Sequence, residues 1–251
     1  MPWPRLPWRD RLTGMSHSTT SRPLVLITGA TRGIGRAIAE DLAPDHDLLL
    51  AGRDSAALEE LARELPDARV LVADLTDEQA VTAALEQAGM LASDARLDAV
   101  VHSAGVLVPG TIEELTAGEW TRSFALNVVA VATLTRALLP ALRAARGTVV
   151  TLNSGAGWNA GAAGGAYAAS KFALRALTDA LREEEREHGM RVSSVHPGRV
   201  DTDMQHELVA FEGGQYDAER YLRPGSVAAA VRLVLTASEE ASIDVVSVRP
   251  R

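Results

Sequence analysis

Apolar runs of strand length alternate with segments of helical period along most of the chain, and this alternation restricts the fold more than any other feature. Leu24 to Thr28 is a short apolar run, and Gly33 to Leu42 follows with Ile34, Ile38 and Leu42 at helical spacing. Leu48 to Ala51 reads as the next strand, and Ser55 as the cap of a helix running to about Leu65. Arg69 to Ala73 is the third strand, with Thr76 capping a helix from Asp77 to Leu91. Asp98 to His102 is the fourth, followed by one long helix from about Gly118 to Arg143. Then come a strand at Thr148 to Leu152, a second long helix at Ala163 to Glu187, and a strand at Val192 to Val195. A helix at Ser226 to Ala237 and a last strand at Ile243 to Val248 close the pattern. Continuous apolar strands separated by helices predict a parallel sheet covered on both faces. Right-handed crossovers then give an α/β, doubly wound (Rossmann-type) single domain of seven strands, with its ligand crevice at their carboxyl ends.

Chemistry excluded by composition narrows the reading further. The chain has no cysteine, which removes disulfides, thiolate catalysis and Cys-based zinc sites and fits a reducing cytoplasm. None of the six histidines stands in an H-E-x-x-H or similar ligand spacing, so no metal is expected. A net charge of −8 argues against nucleic-acid binding. No apolar run reaches the roughly 18 residues that span a bilayer, so no membrane segment is expected. Residues 1–22 carry Pro, Trp and Arg without a continuous apolar core and read as a mobile extension ahead of a catalytic domain at 23–251. Met15 is an alternative start, and contact with a partner or membrane through Trp3 and Trp8 is an alternative use of that segment. The charged stretch Arg182 to Glu187 reads as a solvated helix face.

Between the first strand and first helix stands Thr28-Gly29-Ala30-Thr31-Arg32-Gly33-Ile34-Gly35. Glycines there let the backbone approach a pyrophosphate, which the helix N-terminus favours electrically. The spacing is G-x-x-x-G-x-G rather than G-x-G-x-x-G. After the second strand, where an acid would hold the ribose of NAD, the chain has Gly52 followed by Arg53. With Arg32 in the loop, Arg53 suits a 2′-phosphate, because a planar guanidinium pairs with phosphate oxygens. NADP is therefore expected over NAD. Asp54, a counter-signal one residue on, is also expected to cap the following helix. Asp74 is placed either to reach the adenine or to cap a helix.

Tyr167 and Lys171 are four residues apart, so one helix face presents both. Ser154 lies thirteen residues before the tyrosine at a strand end, and Asn127 lies on the preceding long helix. With these residues the chain resembles the short-chain dehydrogenase/reductases from Leu24 to Val248. The resemblance rests on Thr28 to Gly35, Asp74-Leu75, Ser103-Ala104-Gly105, Asn127, Ser154, Tyr167-x-x-x-Lys171 and Pro197-Gly198 with Thr202. It implies hydride transfer between a nicotinamide cofactor and a small carbonyl or alcohol substrate, in the reductase direction if NADP is used. It implies Tyr167 as acid or base, its pKa lowered by Lys171 and the oxidised nicotinamide, and Ser154 as the group that orients the substrate oxygen. Asn127 would hold a water linking Lys171 to solvent. Lys171 would also hold the nicotinamide ribose, and Thr202 the carboxamide. The implied cofactor site comprises Gly29, Thr31, Arg32, Gly33, Ile34, Gly35, Arg53, Asp74, Leu75, Ser103, Ala104, Gly105, Tyr167, Lys171, Pro197, Gly198, Val200 and Thr202. Homodimers or homotetramers through the two long helices are implied as well.

One departure from the family is His102 where Asn is common, which puts local stability in question; His102 and His196 are both expected to be structural. No G-x-S-x-G elbow accompanies Ser154, which argues against an acyl hydrolase. A non-enzymatic dinucleotide sensor is the alternative, although such a chain would usually lack the tyrosine or lysine. Substrate choice is expected from Asp203 to Arg223, with Gly213-Gly214 as hinge and Met204, Leu208, Phe211 and Tyr216 as lid contacts, or with Leu208 and Phe211 simply packed on the body.

Overall fold

In the computed structural model, which describes residues 22–251, every apolar run named above becomes a strand of one sheet. The strands are β1 (Leu24–Thr28), β2 (Asp47–Gly52), β3 (Ala68–Val72), β4 (Ala99–His102), β5 (Thr148–Leu152), β6 (Arg191–Pro197) and β7 (Val245–Val248). They pair in parallel in the order β3-β2-β1-β4-β5-β6-β7. Successive residues of β1 serve opposite faces: Val25 and Ile27 join one core, Leu26 the other. The first core includes Ile38 and Leu42 of α1 (Gly33–Leu42), Leu58 of α2 (Ser55–Glu64), and Val227 and Val231 of α8 (Pro224–Leu235). The second includes Val81 and Leu85 of α3 (Glu78–Gln87) and Leu134, Leu138 and Leu142 of α5 (Ala130–Ala145). Strand order reverses between β1 and β4, which opens the crevice beyond their carboxyl ends.

Helix ends differ from the sequence expectation where a carboxylate competes with a hydroxyl. Of the two caps expected for α2, Asp54 takes the role by accepting from the Ala57 N–H at 3.1 Å, while the Ser55 hydroxyl turns to Glu59. Asp77, not Thr76, caps α3 by accepting from the Gln79 and Ala80 N–H groups. A charged acceptor also gains from the helix dipole, which a hydroxyl does not. α3 stops at Gln87 rather than Leu91, and Gly89 (φ 73°) carries the chain away in the left-handed region.

The long helix expected at 118–143 runs without a break over Ala117–Ala145, as α4 (Ala117–Phe124) and α5 with a wide π-type turn between them at Ala125–Val129. Ala117–Ala145 spans 29 residues and is apolar enough to cross a membrane by length and composition, contrary to the sequence expectation. In the fold its apolar face packs on the sheet. The last long helix, α6 (Gly165–Glu185), starts two residues late, and its charged end is not wholly solvated. Glu185 is buried, and Arg143 of α5 grips it with two bonds of 2.7 and 2.8 Å.

Arg22, assigned above to the extension, belongs to the body: it donates to the His46 carbonyl at 2.7 Å and pairs with Asp67. The rest of the extension, residues 1–21, lies outside the described residues. The segment after Pro197 contains a helix, α7 (Asp203–Phe211), that inward-facing Gln205 and Val209 seat on the body. Gly213 takes φ 67° just beyond it, as a turn residue; Phe211 is exposed.

His102 proves well accommodated, against the doubt raised by the sequence. It is 3% exposed and its Nε2 lies 2.9 Å from the Thr135 hydroxyl, tying β4 to α5. Burial lowers its pKa to about 4 from 6.5. The unfolded chain therefore binds this proton below pH 6.5, and the folded chain resists it until about pH 4. Stability from this site is present at neutral pH and is lost as pH falls through that window, by about 2 kcal/mol between pH 7 and 5. Denaturant titrations at those two pH values should show that loss, and His102→Asn should lose correspondingly less between them.

Candidate active site

At the first β–α junction, glycine is demanded by contact. A Cβ on Gly35 would lie 2.1 Å from the Gly29 carbonyl oxygen, and one on Gly29 would lie 2.9 Å from the Ala104 Cα. Gly29 and Gly33 have φ of 64° and 54°, in the region that favours glycine. Arg32 occupies the N-cap of α1 and makes no side-chain cap bond, so the N–H groups of the first turn, which begins Gly33-Ile34-Gly35, stay free of a side-chain acceptor. A loop stripped of side chains at an uncapped helix N-terminus fits a dinucleotide pyrophosphate. The Thr28 hydroxyl accepts from the Ser103 and Ala104 N–H groups, each at 3.0 Å, and so ties the end of β1 to the loop after β4 across the crevice. Nothing in the motif reading had singled out that hydroxyl.

The two arginines assigned to one phosphate part company. Arg32 turns to Asp203 at the start of α7, 3.4 Å away. Arg53 stays exposed beyond β2, and its charge helps hold the Asp74 carboxyl below its usual range after the dominant bonds from Thr76. Asp74 does not cap a helix; it closes a turn by accepting from the Thr76 N–H and hydroxyl. The Leu75 side chain packs in the second core. Val200 is buried and bridges to Leu222, and the Thr202 methyl approaches Gly33, so the loop after Pro197-Gly198 touches the phosphate loop.

Tyr167 and Lys171 sit one turn apart on α6, with the lysine Nζ 5.7 Å from the phenol ring centroid. Lys171 is buried and donates to the Leu152 carbonyl at 2.8 Å. Burial lowers its pKa to about 8 from 10.5. Burial raises the Tyr167 pKa, and the Ser154 hydroxyl offsets it in part. The ammonium is bonded to the Leu152 carbonyl rather than to the phenol.

Ser154 follows β5 in extended backbone and caps a short turn, its Oγ accepting from the Ala156 N–H at 3.1 Å. Because that acceptor position is used, the hydroxyl proton is free to point elsewhere. Asn127 lies in the π-type turn with its side chain committed: Oδ1 accepts from the Val106 N–H, and Nδ2 donates to the Val106 carbonyl and the Ser170 hydroxyl. Gly105 stands between the two groups; a Cβ there would lie 3.3 Å from Asn127 Oδ1 and 3.9 Å from Lys171 Nζ. Neither Asn153 nor Ser170 was singled out by spacing, though each adjoins a residue that was. Asn153 Oδ1 accepts from the Ser154 N–H at 2.9 Å while its Nδ2 donates to the Lys171 carbonyl at 3.2 Å. Ser170 donates to the Tyr167 carbonyl at 2.7 Å and accepts from Asn127.

Residues 23–213 match the short chain dehydrogenase family. The chain belongs to it. An oxidoreductase of Staphylococcus epidermidis is 30% identical over 230 residues, covering 90% of this chain and 96% of its own length. A metagenomic short-chain oxidoreductase solved with NADP is 33% identical with a TM-score of 0.77, covering 93% of this chain and 99% of that one. A 3-oxoacyl-[acyl-carrier protein] reductase of Brucella melitensis solved with NAD is 29% identical with a TM-score of 0.79, over 92% and 90%. This short-chain dehydrogenase/reductase is thus an oxidoreductase on a dinucleotide-binding fold, with relatives solved with either nicotinamide cofactor.

Proposed function

We propose that this protein reduces a small carbonyl compound with NADPH, using Tyr167 as the proton donor. The observation that carries the reading is the meeting of Ser154, Tyr167 and Lys171 at the carboxyl ends of the sheet, where the phenol is neutral. The cofactor, bound along the glycine loop, would supply the hydride. Ser154 donates its free hydroxyl proton to the substrate oxygen and holds it beside Tyr167. A neutral phenol is the form a general acid needs. The proton passes from Tyr167 Oη to the oxygen that gains charge, and the phenolate left behind is favoured by the Lys171 ammonium. Asn127 has no free side-chain amide for a water, so a relay through it would use its main-chain carbonyl, in the π-type turn.

Arg53 is the residue for the 2′-phosphate, since Arg32 is engaged by Asp203. The sensor alternative gains no support, because the full set of acid, ammonium and hydroxyl is retained. Exposed Val129 in the π-type turn and Phe172 on α6 offer an apolar face for a second copy, which supports a homo-oligomer through the long helices. A reducing, cytoplasmic compartment suits a chain without cysteine. The test is consumption of NADPH against NADH with a panel of aldehydes, ketones and diketones. Turnover with at least one carbonyl and preference for NADPH are expected; binding without turnover across the panel would refute catalysis.

A further inference from the structure

Ser154 is held by its main chain from both sides, and the second hold comes from a residue outside the proposed chemistry. His196 stands near the end of β6, with its side chain fully buried. Its Nδ1 lies 3.0 Å from the Ser154 carbonyl oxygen, and its Nε2 lies 2.8 Å from the Ser194 hydroxyl. A carbonyl only accepts, so Nδ1 carries the proton and Nε2 accepts from Ser194. Trp158 packs on the ring at 4.8 Å between centroids. The imidazole is therefore fixed in position, orientation and tautomer.

We propose that His196 is a positioning residue that acts through Ser154, aiming its hydroxyl at the substrate oxygen; this rests on the role given to Ser154 above. Asn153 holds the Ser154 N–H, His196 and the Gly157 N–H hold its carbonyl, each at 3.0 Å, and Ala156 takes up an acceptor position of Oγ. With both peptide groups pinned, the Cα–Cβ bond has one direction, and the hydroxyl is set beside the Tyr167 phenol. Without His196 the carbonyl keeps only the Gly157 N–H of its own short turn, so that turn can shift as a unit while the glycine loop, at β1, is untouched. Ser194 and His196 alternate along β6, so both side chains reach the same face of the sheet, and the tautomer is set by the strand itself.

The test is a double-mutant cycle read in single-turnover rates with NADPH and a carbonyl substrate. His196→Phe keeps a ring against Trp158 and removes both hydrogen bonds. It should slow reduction about tenfold, the scale of one misplaced neutral hydrogen bond, with NADPH affinity unchanged. Ser154→Ala should lose about 10²–10³, as for removal of one donor to a developing oxyanion. In the Ser154→Ala background His196→Phe should have no further effect, because the residue acts only through that hydroxyl. His196→Asn, whose amide can still donate to the Ser154 carbonyl, should recover most of the rate. Should the phenylalanine variant fail to fold, Ser194→Ala reads the same cycle with a loss of about threefold, since it frees the tautomer and leaves the packing in place. The same factor lost in both backgrounds, or no loss in the otherwise wild-type protein, would overturn the proposal. An unchanged rate in Ser154→Ala alone would instead sink the role of Ser154.

Discussion

Replacing Tyr167 by Phe should abolish most turnover while leaving NADPH binding nearly intact. The substitution removes one oxygen from a side chain whose ring contacts stay, and the structure gives Tyr167 Oη no fold-stabilising partner beyond its weak link to Ser154. Its loss is therefore chemical. General acids contribute about 10²–10⁴ to rate, so kcat should fall by that factor or more, while the dissociation constant for NADPH shifts by less than about threefold. Stopped-flow reduction beside equilibrium cofactor titration reads both. A variant with comparable kcat would remove the proton donor from the account.

The second large effect falls on cofactor choice. Arg53→Ala should weaken NADPH about 10- to 100-fold and NADH hardly at all, since a charged hydrogen bond to phosphate contributes roughly 1.5–3 kcal/mol. Arg53 is exposed at the end of β2, so the variant should fold as the parent does. Arg32→Ala should discriminate less, because that guanidinium is drawn to Asp203 on α7. Equal loss for both cofactors in Arg53→Ala would contradict the assignment of the 2′-phosphate.

The sheet was legible because its strands are buried on both faces and so appear as uninterrupted apolar runs; β1 and β5 fall where the sequence puts them. The α3 cap was misread, and both Asp54 and Ser55 were offered for α2, because adjacent Asp, Ser and Thr all have cap chemistry, and only local geometry decides among them. The π-type turn leaves no pattern in the chain. It occurs where Asn127 is captured by Val106 and Ser170, residues from two other parts of the fold. Glu185 looked solvated within a charged run, and only the approach of Arg143 from α5 lets it be buried. At the site, motif spacing found the residues but not their states. Whether Tyr167 titrates high or low depends on burial against the reach of one ammonium, and Lys171 turns to Leu152 instead. His196 was read as structural, and only its two hydrogen bonds reveal that the structure it supports is the Ser154 loop.

The central claim is that hydride reaches a carbonyl carbon within this site while Tyr167 protonates the oxygen. Its most direct test is transfer of deuterium from NADPH labelled at C4 of the nicotinamide, followed by mass spectrometry of the alcohol formed. The account predicts one deuterium on the carbinol carbon, from one face of the cofactor only, with the transfer rate lost in Tyr167→Phe. A protein that binds the labelled cofactor but delivers no deuterium to any carbonyl of the panel, or delivers it equally well without the Tyr167 hydroxyl, would contradict it.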